Sequence, residues 1–165
     1  MSTQLKAVAI LEVMWDWRSM TSDAGYTEIA PRHYRINPDN LTGSRLYKWC
    51  GDRYTLRVTN ARPQLVKSAK HRGKPDPEWL SDNLKRLWPF DLVLVCGKVA
   101  QATYSLGDTM CGGKQSRVIE VPHPAARMWT RAGLDLVSRL VQLSDCDYCL
   151  SFKGRTLHSE EIVPF

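Results

Sequence analysis

No stretch of this 165-residue chain approaches the ~20 consecutive apolar residues that a membrane span requires. No membrane partner is therefore expected. Nor does a basic flank followed by a short apolar run open the chain, as a secretory leader would. With five cysteines, an odd number, this points to a reducing, intracellular setting, cytoplasmic or nucleoid-associated. Cys146 and Cys149 have the spacing of a zinc half-site or a redox pair, but no second such pair and no spaced histidines accompany them. We expect ordinary thiols and no metal. Internal repeats, low-complexity tracts and dividing linkers are also missing, so residues 1–165 are expected to form a single domain. Disorder is excluded by composition, with 43% hydrophobic and 24% charged residues, and a chain of this length buries a core without staples. The formal charge of +6 favours an anionic partner, weakly.

What is present reads as alternating strands and helices. Residues Leu5 to Met20 fit a helix, although Ala7 to Val13 is short enough for a strand. His33 to Ile36 reads as a strand, Thr42 to Trp49 as a helix stopped by Gly51, and Tyr54 to Thr59 as an alternating strand. Pro77 to Trp88 repeats apolar residues at helical spacing behind a proline suited to a first turn. Asp91 to Gly97 is a continuous apolar run, as in a strand buried on both faces of a parallel sheet. A helix beginning at Lys98, a strand over Val118 to Val121 and an amphipathic helix over Arg131 to Leu143 follow. In the C-terminal extension, 144–165, the stretch from Tyr148 to Leu157 suggests a hairpin turning at Lys153-Gly154. The sum is an α/β fold, three layers deep, with a mainly parallel central sheet.

Three strand ends carry polar residues: Asn37-Pro38-Asp39, Asn60-Ala61-Arg62 and His123-Pro124-Ala125. In open α/β sheets the C-terminal edge of the strands is where ligands collect, so convergence of the three on one pocket is expected. Between Pro63 and Pro77 lies a polar, broken stretch with Lys67, Lys70, Arg72 and Lys74. It reads as a solvated loop that can also follow a phosphate backbone.

In order and motif type, Ile36-Asn37-Pro38, Thr59-Asn60-Ala61, Gly97-Lys98-Val99-Ala100 and His123-Pro124-Ala125 together resemble the uracil-DNA glycosylase superfamily over roughly residues 33 to 143. The first motif is similar to the Asn-Pro version of mismatch-specific members, and the last to the family's His-Pro-Ser with alanine at position 125. The resemblance implies a monofunctional glycosylase that flips a nucleotide and hydrolyses the bond to uracil or another altered pyrimidine, in single- or double-stranded DNA, leaving an abasic site. It implies that His123 donates to the leaving base and that Asn37 orients water, with Asp39 beside it. Asn60 would read the base edge, with Tyr34, Tyr47 or Trp49 stacking on the base. Arg127, Met128 and Trp129 fall at the position of the family's intercalating loop, where Met128 or Trp129 would enter the stack while Arg127 and Arg131 meet phosphates. Trp129 reads equally as an anchor for the helix that follows. Some branches hold an iron-sulfur cluster with an N-terminal cysteine pair; no cysteine precedes Cys50, so no cofactor is expected. Ala125 lacks the hydroxyl that often contacts a phosphate.

Two other functions share this frame. One is a glycosylase-like protein that holds DNA without cleaving it, and the other is a module on the same scaffold that binds a protein partner. Salt-sensitive DNA binding without base release would mark the first, and protein binding with indifference to DNA the second.

Overall fold

The computed structural model describes residues 4–15, 26–66, 70–87, 89–107, 117–142 and 150–151. In chain order these form β1 (Leu5–Leu11), β2 (Met14–Trp15), β3 (Tyr26–Ala30), β4 (His33–Ile36), α1 (Leu41–Cys50), β5 (Tyr54–Asn60), β6 (Leu65–Val66), α2 (Pro77–Arg86), β7 (Leu92–Cys96), α3 (Lys98–Gly107), β8 (Arg117–Val121), α4 (Arg131–Gln142) and β9 (Leu150–Ser151). Seven strands make one sheet in the order β3-β4-β5-β1-β7-β8-β9, and β2 pairs with β6 apart from it. The pairs among β5, β1, β7, β8 and β9 are all parallel, whereas β3 and β4 join antiparallel at one edge. The sheet is thus mixed and mostly parallel, with four helices around it.

The first element, ambiguous in the sequence, is the central strand. β1 pairs with β5 on one side and β7 on the other, and Ala7 to Ile10 are fully buried. Burial on both faces removes the alternation that marks a half-exposed strand, which is why its periodicity tolerates a helix. Odd-numbered Ala7, Ala9 and Leu11 pack with Leu46, Trp49, Leu136 and Val137 of α1 and α4, whereas Val8 and Ile10 pack with Leu80 and Leu84 of α2 and Ala100 and Tyr104 of α3. Helix boundaries follow local chemistry. Asn40 caps α1 by accepting from the Gly43 N–H at 2.6 Å, and Gly51, at φ +57°, closes it by donating to the Tyr47 carbonyl. Asp76 caps α2 through the Trp79 N–H, with Pro77 in the first turn.

β4 has the predicted bounds but runs antiparallel, with Tyr34 opposite Val58, because the hairpin from β3 brings it in from the other end of the sheet. At the opposite edge, Leu150–Ser151 adds a strand parallel to β8; the rest of the hairpin expected over Tyr148 to Leu157 lies outside the described residues. The Lys153-Gly154 turn, like the Cys146/Cys149 pair, lies outside the described residues. Among those residues no helix is long and apolar enough to cross a membrane and no cluster could hold a metal. Cys50 and Cys96 are buried free thiols, burial pushing Cys50 up to about 12 and raising Cys96 as well, so both are inert.

Arg117, which periodicity cannot distinguish from a surface residue, is buried at the foot of α4. It donates to the Val141 carbonyl at 3.1 Å and to the Leu140 carbonyl, satisfying the helix's last acceptors. The tightest backbone approach is at Gly43, where a Cβ would overlap the Asn37 carbonyl and lie 3.1 Å from Asn40 Oδ1. Gly43→Ala should therefore lower stability by about 2 kcal/mol, or roughly 4–8 °C in Tm, by thermal denaturation.

Candidate functional site

The four central parallel strands end level with one another: Leu11 is in register with Asn60, and Cys96 with Val121. The residues at and just beyond these ends form a row across the C-terminal edge: Glu12 after β1, Asn60 ending β5 and Ala61 after it, Gly97 after β7, and His123 after β8. Gly97 sits at φ +91°, a conformation open to glycine, and donates to the Val121 carbonyl at 2.8 Å, which sets the approach of the α3 start to the His123 loop.

His123 is held in one tautomer and one orientation. The Ala125 N–H donates to Nδ1 at 3.0 Å, so a neutral ring carries its proton on Nε2, which engages no partner among the described residues. The loop is pinned from below, where the Trp129 indole N–H donates to the His123 carbonyl at 2.8 Å and its ring packs on Trp49 at 5.3 Å. Arg45 of α1 donates to the Pro124 carbonyl. Burial lowers the His123 pKa below the usual 6.5, and the negative charge of Glu12 opposes that shift. The ring is therefore a neutral donor near pH 7.

Asn60 is only 3% exposed, and its Oδ1 is buried with no hydrogen-bond partner. An orphaned amide oxygen costs about 1–3 kcal/mol, and this one stands at the last residue of β5. Glu12 closes the row. Its Oε1 meets Arg62 at 3.1 Å and Arg72 at 3.7 Å, and Arg62 also donates to the Gly73 carbonyl. These contacts strap the exposed segment carrying Lys70, Arg72 and Lys74 onto the strand ends.

Asn60 and His123 thus lie on the row, whereas Asn37 and Asp39 follow β4, and the Asn37 carbonyl lies against Gly43 in the first turn of α1. Because β4 is antiparallel, the chain leaves it at Ile36, two residues past Tyr34 and so level with Leu56, roughly 13 Å down the sheet from Asn60 at 3.3 Å per residue. Asn37 Oδ1 accepts from the Asp39 N–H at 2.9 Å, closing a turn into α1. The aromatic candidates are committed elsewhere: Tyr34 is buried on β4, Tyr47 donates to the Ile36 carbonyl at 3.0 Å, and Trp49 is wholly buried. Arg127 and Met128 are exposed on the loop after His123, and Arg131 is exposed at the start of α4. Lys67 lies outside the described residues.

The residue that sequence reasoning missed is Glu12. Its signal was available: it is the first charged residue after the apolar run Ala7 to Leu11, and becomes a strand-end carboxylate once that run is assigned as a strand.

Comparison with protein-family models, with curated proteins and with solved structures finds no match. The site therefore stands on its own geometry.

A second buried histidine adds a pH dependence to stability. His33 Nε2 donates to the Asn83 carbonyl at 2.8 Å, leaving Nδ1 buried without a partner, and burial lowers its pKa. With His33 and His123 both lowered, the unfolded chain binds more protons than the folded one as pH falls below about 6.5. Their contribution is complete above that value and is lost below it. Thermal melts should show a lower Tm at pH 5.5 than at pH 7.5, with a smaller difference in His33→Gln.

Proposed function

We propose that the strand-end row binds a nucleobase and that the protein is a DNA glycosylase of the uracil-DNA glycosylase type, acting on uracil or another altered pyrimidine in single- or double-stranded DNA. The observation that carries this reading is the buried, unpartnered Oδ1 of Asn60 in the same row as a histidine whose Nε2 is the protonated, unoccupied nitrogen. An amide supplies one acceptor and two donors, enough to read the imide edge of uracil. A neutral imidazole donates to a base oxygen that gains charge as the bond breaks.

In this mechanism the C1′–N bond breaks, its electron pair leaves with the base, water supplies the oxygen that joins C1′, and the proton that water gives up ends on the released base. Of the two candidates for orienting that water, the reading assigns Glu12, which stands on the row, over Asn37, which closes a turn. Both guanidiniums contact Glu12 Oε1, leaving Oε2 for the water. The basic segment at 70–74 and Arg127 would meet phosphates, and Met128, 39% exposed, would be the side chain entering the stack. Trp129 then serves as the anchor of the His123 loop.

The test is incubation with oligonucleotides carrying uracil or other altered pyrimidines, with released base detected by mass spectrometry. Free uracil or a relative supports the reading; no free base from any substrate sinks it. Asn60→Asp should change the preferred base, because a carboxylate cannot donate to the base edge, and competition between substrates measures the change. The ion pairs on Glu12 favour one other reading, a protein that holds a nucleotide without cleaving it, since two guanidiniums already engage that carboxylate. Tight binding without release would establish that version.

A further inference from the structure

The sheet face beneath α2 ends, toward the beginnings of the strands, in a cavity of about 310 Å³ lined in part by Lys6, Thr55, Arg57, Leu87 and Phe90. Lys6 is in register with Thr55, and Val8 with Arg57, so the two cations stand on neighbouring strands and point to the same face. No carboxylate lines the cavity, and neither cation forms an ion pair among the described residues. Two cations side by side on one face of the sheet favour an anion held between them. The cavity is separate from the strand-end row: Arg57 lies three residues before Asn60, roughly 10 Å along the strand, and Lys6 lies further back.

We propose that this cavity binds a phosphate monoester, with the phosphate between Lys6 and Arg57 and the organic body against Leu87 and Phe90. Charge selects the head group. A phosphate monoester carries about −1.5 to −2 at pH 7 and matches two cations, whereas a carboxylate leaves one uncompensated. Size selects the ester, because the volume is at the lower end of small-molecule pockets and exceeds what inorganic phosphate fills. The apolar walls give the organic body a surface that water does not compete for. Such a group arrives either as a free nucleotide-like metabolite or as the terminal phosphate of a nucleic-acid strand.

Calorimetric titration of the full chain with a nucleoside 5′-monophosphate, the matching nucleoside, inorganic phosphate and a 5′-phosphorylated oligonucleotide tests the assignment. The monophosphate should bind, inorganic phosphate more weakly and the nucleoside not at all. Lys6→Gln and Arg57→Gln should each lower affinity at least tenfold, and Lys6→Arg should retain it. Lys6 is exposed, so its replacement leaves the core intact. A 5′-phosphorylated oligonucleotide that displaces the mononucleotide in the wild type, but has no such hold on the Lys6→Gln protein, identifies the source as a strand end. Failure to displace identifies a free metabolite. Absence of monophosphate binding overturns the proposal, as does unchanged binding in the Lys6→Gln/Arg57→Gln double variant. Loss of monophosphate binding in His123→Ala overturns it too, by moving the ligand to the strand-end row. None of these outcomes depends on base release.

Discussion

His123→Ala should lower the rate of the proposed base release by about two to three orders of magnitude, the cost of losing one donor aimed at a developing anion. On the proposed function, DNA affinity should stay within a few-fold of wild type, because phosphate contacts carry most of the binding of a protein to DNA. The loss is confined to chemistry because the ring is positioned by its own loop: the Ala125 N–H fixes the tautomer, and Trp129 holds the carbonyl. The test is single-turnover base release beside fluorescence anisotropy on the same oligonucleotide. Parallel loss of both would mean that the ring holds the loop together. His123→Gln, which keeps an N–H donor on a similar reach, should recover part of the rate.

Glu12→Gln moves rate and affinity in opposite directions. The rate falls by about 100-fold, within the range for a group that activates or orients water. Affinity for DNA rises, because Arg62 and Arg72 lose the carboxylate that holds them at 3.1 and 3.7 Å and become available to phosphates. Each additional phosphate contact should steepen the salt dependence of binding by about 0.7–0.9 in log–log slope. Binding isotherms at several salt concentrations measure this. A Glu12→Gln protein that binds more weakly, with a shallower slope, would show that the ion pairs organise the basic segment for DNA.

Much of this molecule is legible in its sequence for physical reasons. The all-apolar run Leu92 to Cys96 announces a strand covered on both faces, and Pro77 and Gly51 punctuate helices through their backbone chemistry. His123 and Asn60 stand at strand ends because the runs before them are unmistakable. Strand direction is what the sequence conceals. His33 to Ile36 looks the same whether it runs parallel or antiparallel, so Asn37 reads as a strand-end residue although its strand points the other way. Glu12 was hidden for the complementary reason: a strand buried on both faces loses its alternation, so the run before Glu12 did not declare itself a strand. Long-range polar partners, such as Arg117 with the last carbonyls of α4 and His33 with Asn83, leave no trace in local pattern at all.

The measurement that tests the central claim most directly is single-turnover release of uracil from one oligonucleotide by wild type, His123→Ala, Glu12→Gln and Asn37→Ala, each checked for folding by circular dichroism. The account predicts release by wild type, losses of about 100-fold or more for the two row variants, and a change of no more than a few-fold for Asn37→Ala. A collapse in Asn37→Ala with Glu12→Gln near wild type would contradict it, and so would no release from the wild type on any altered pyrimidine.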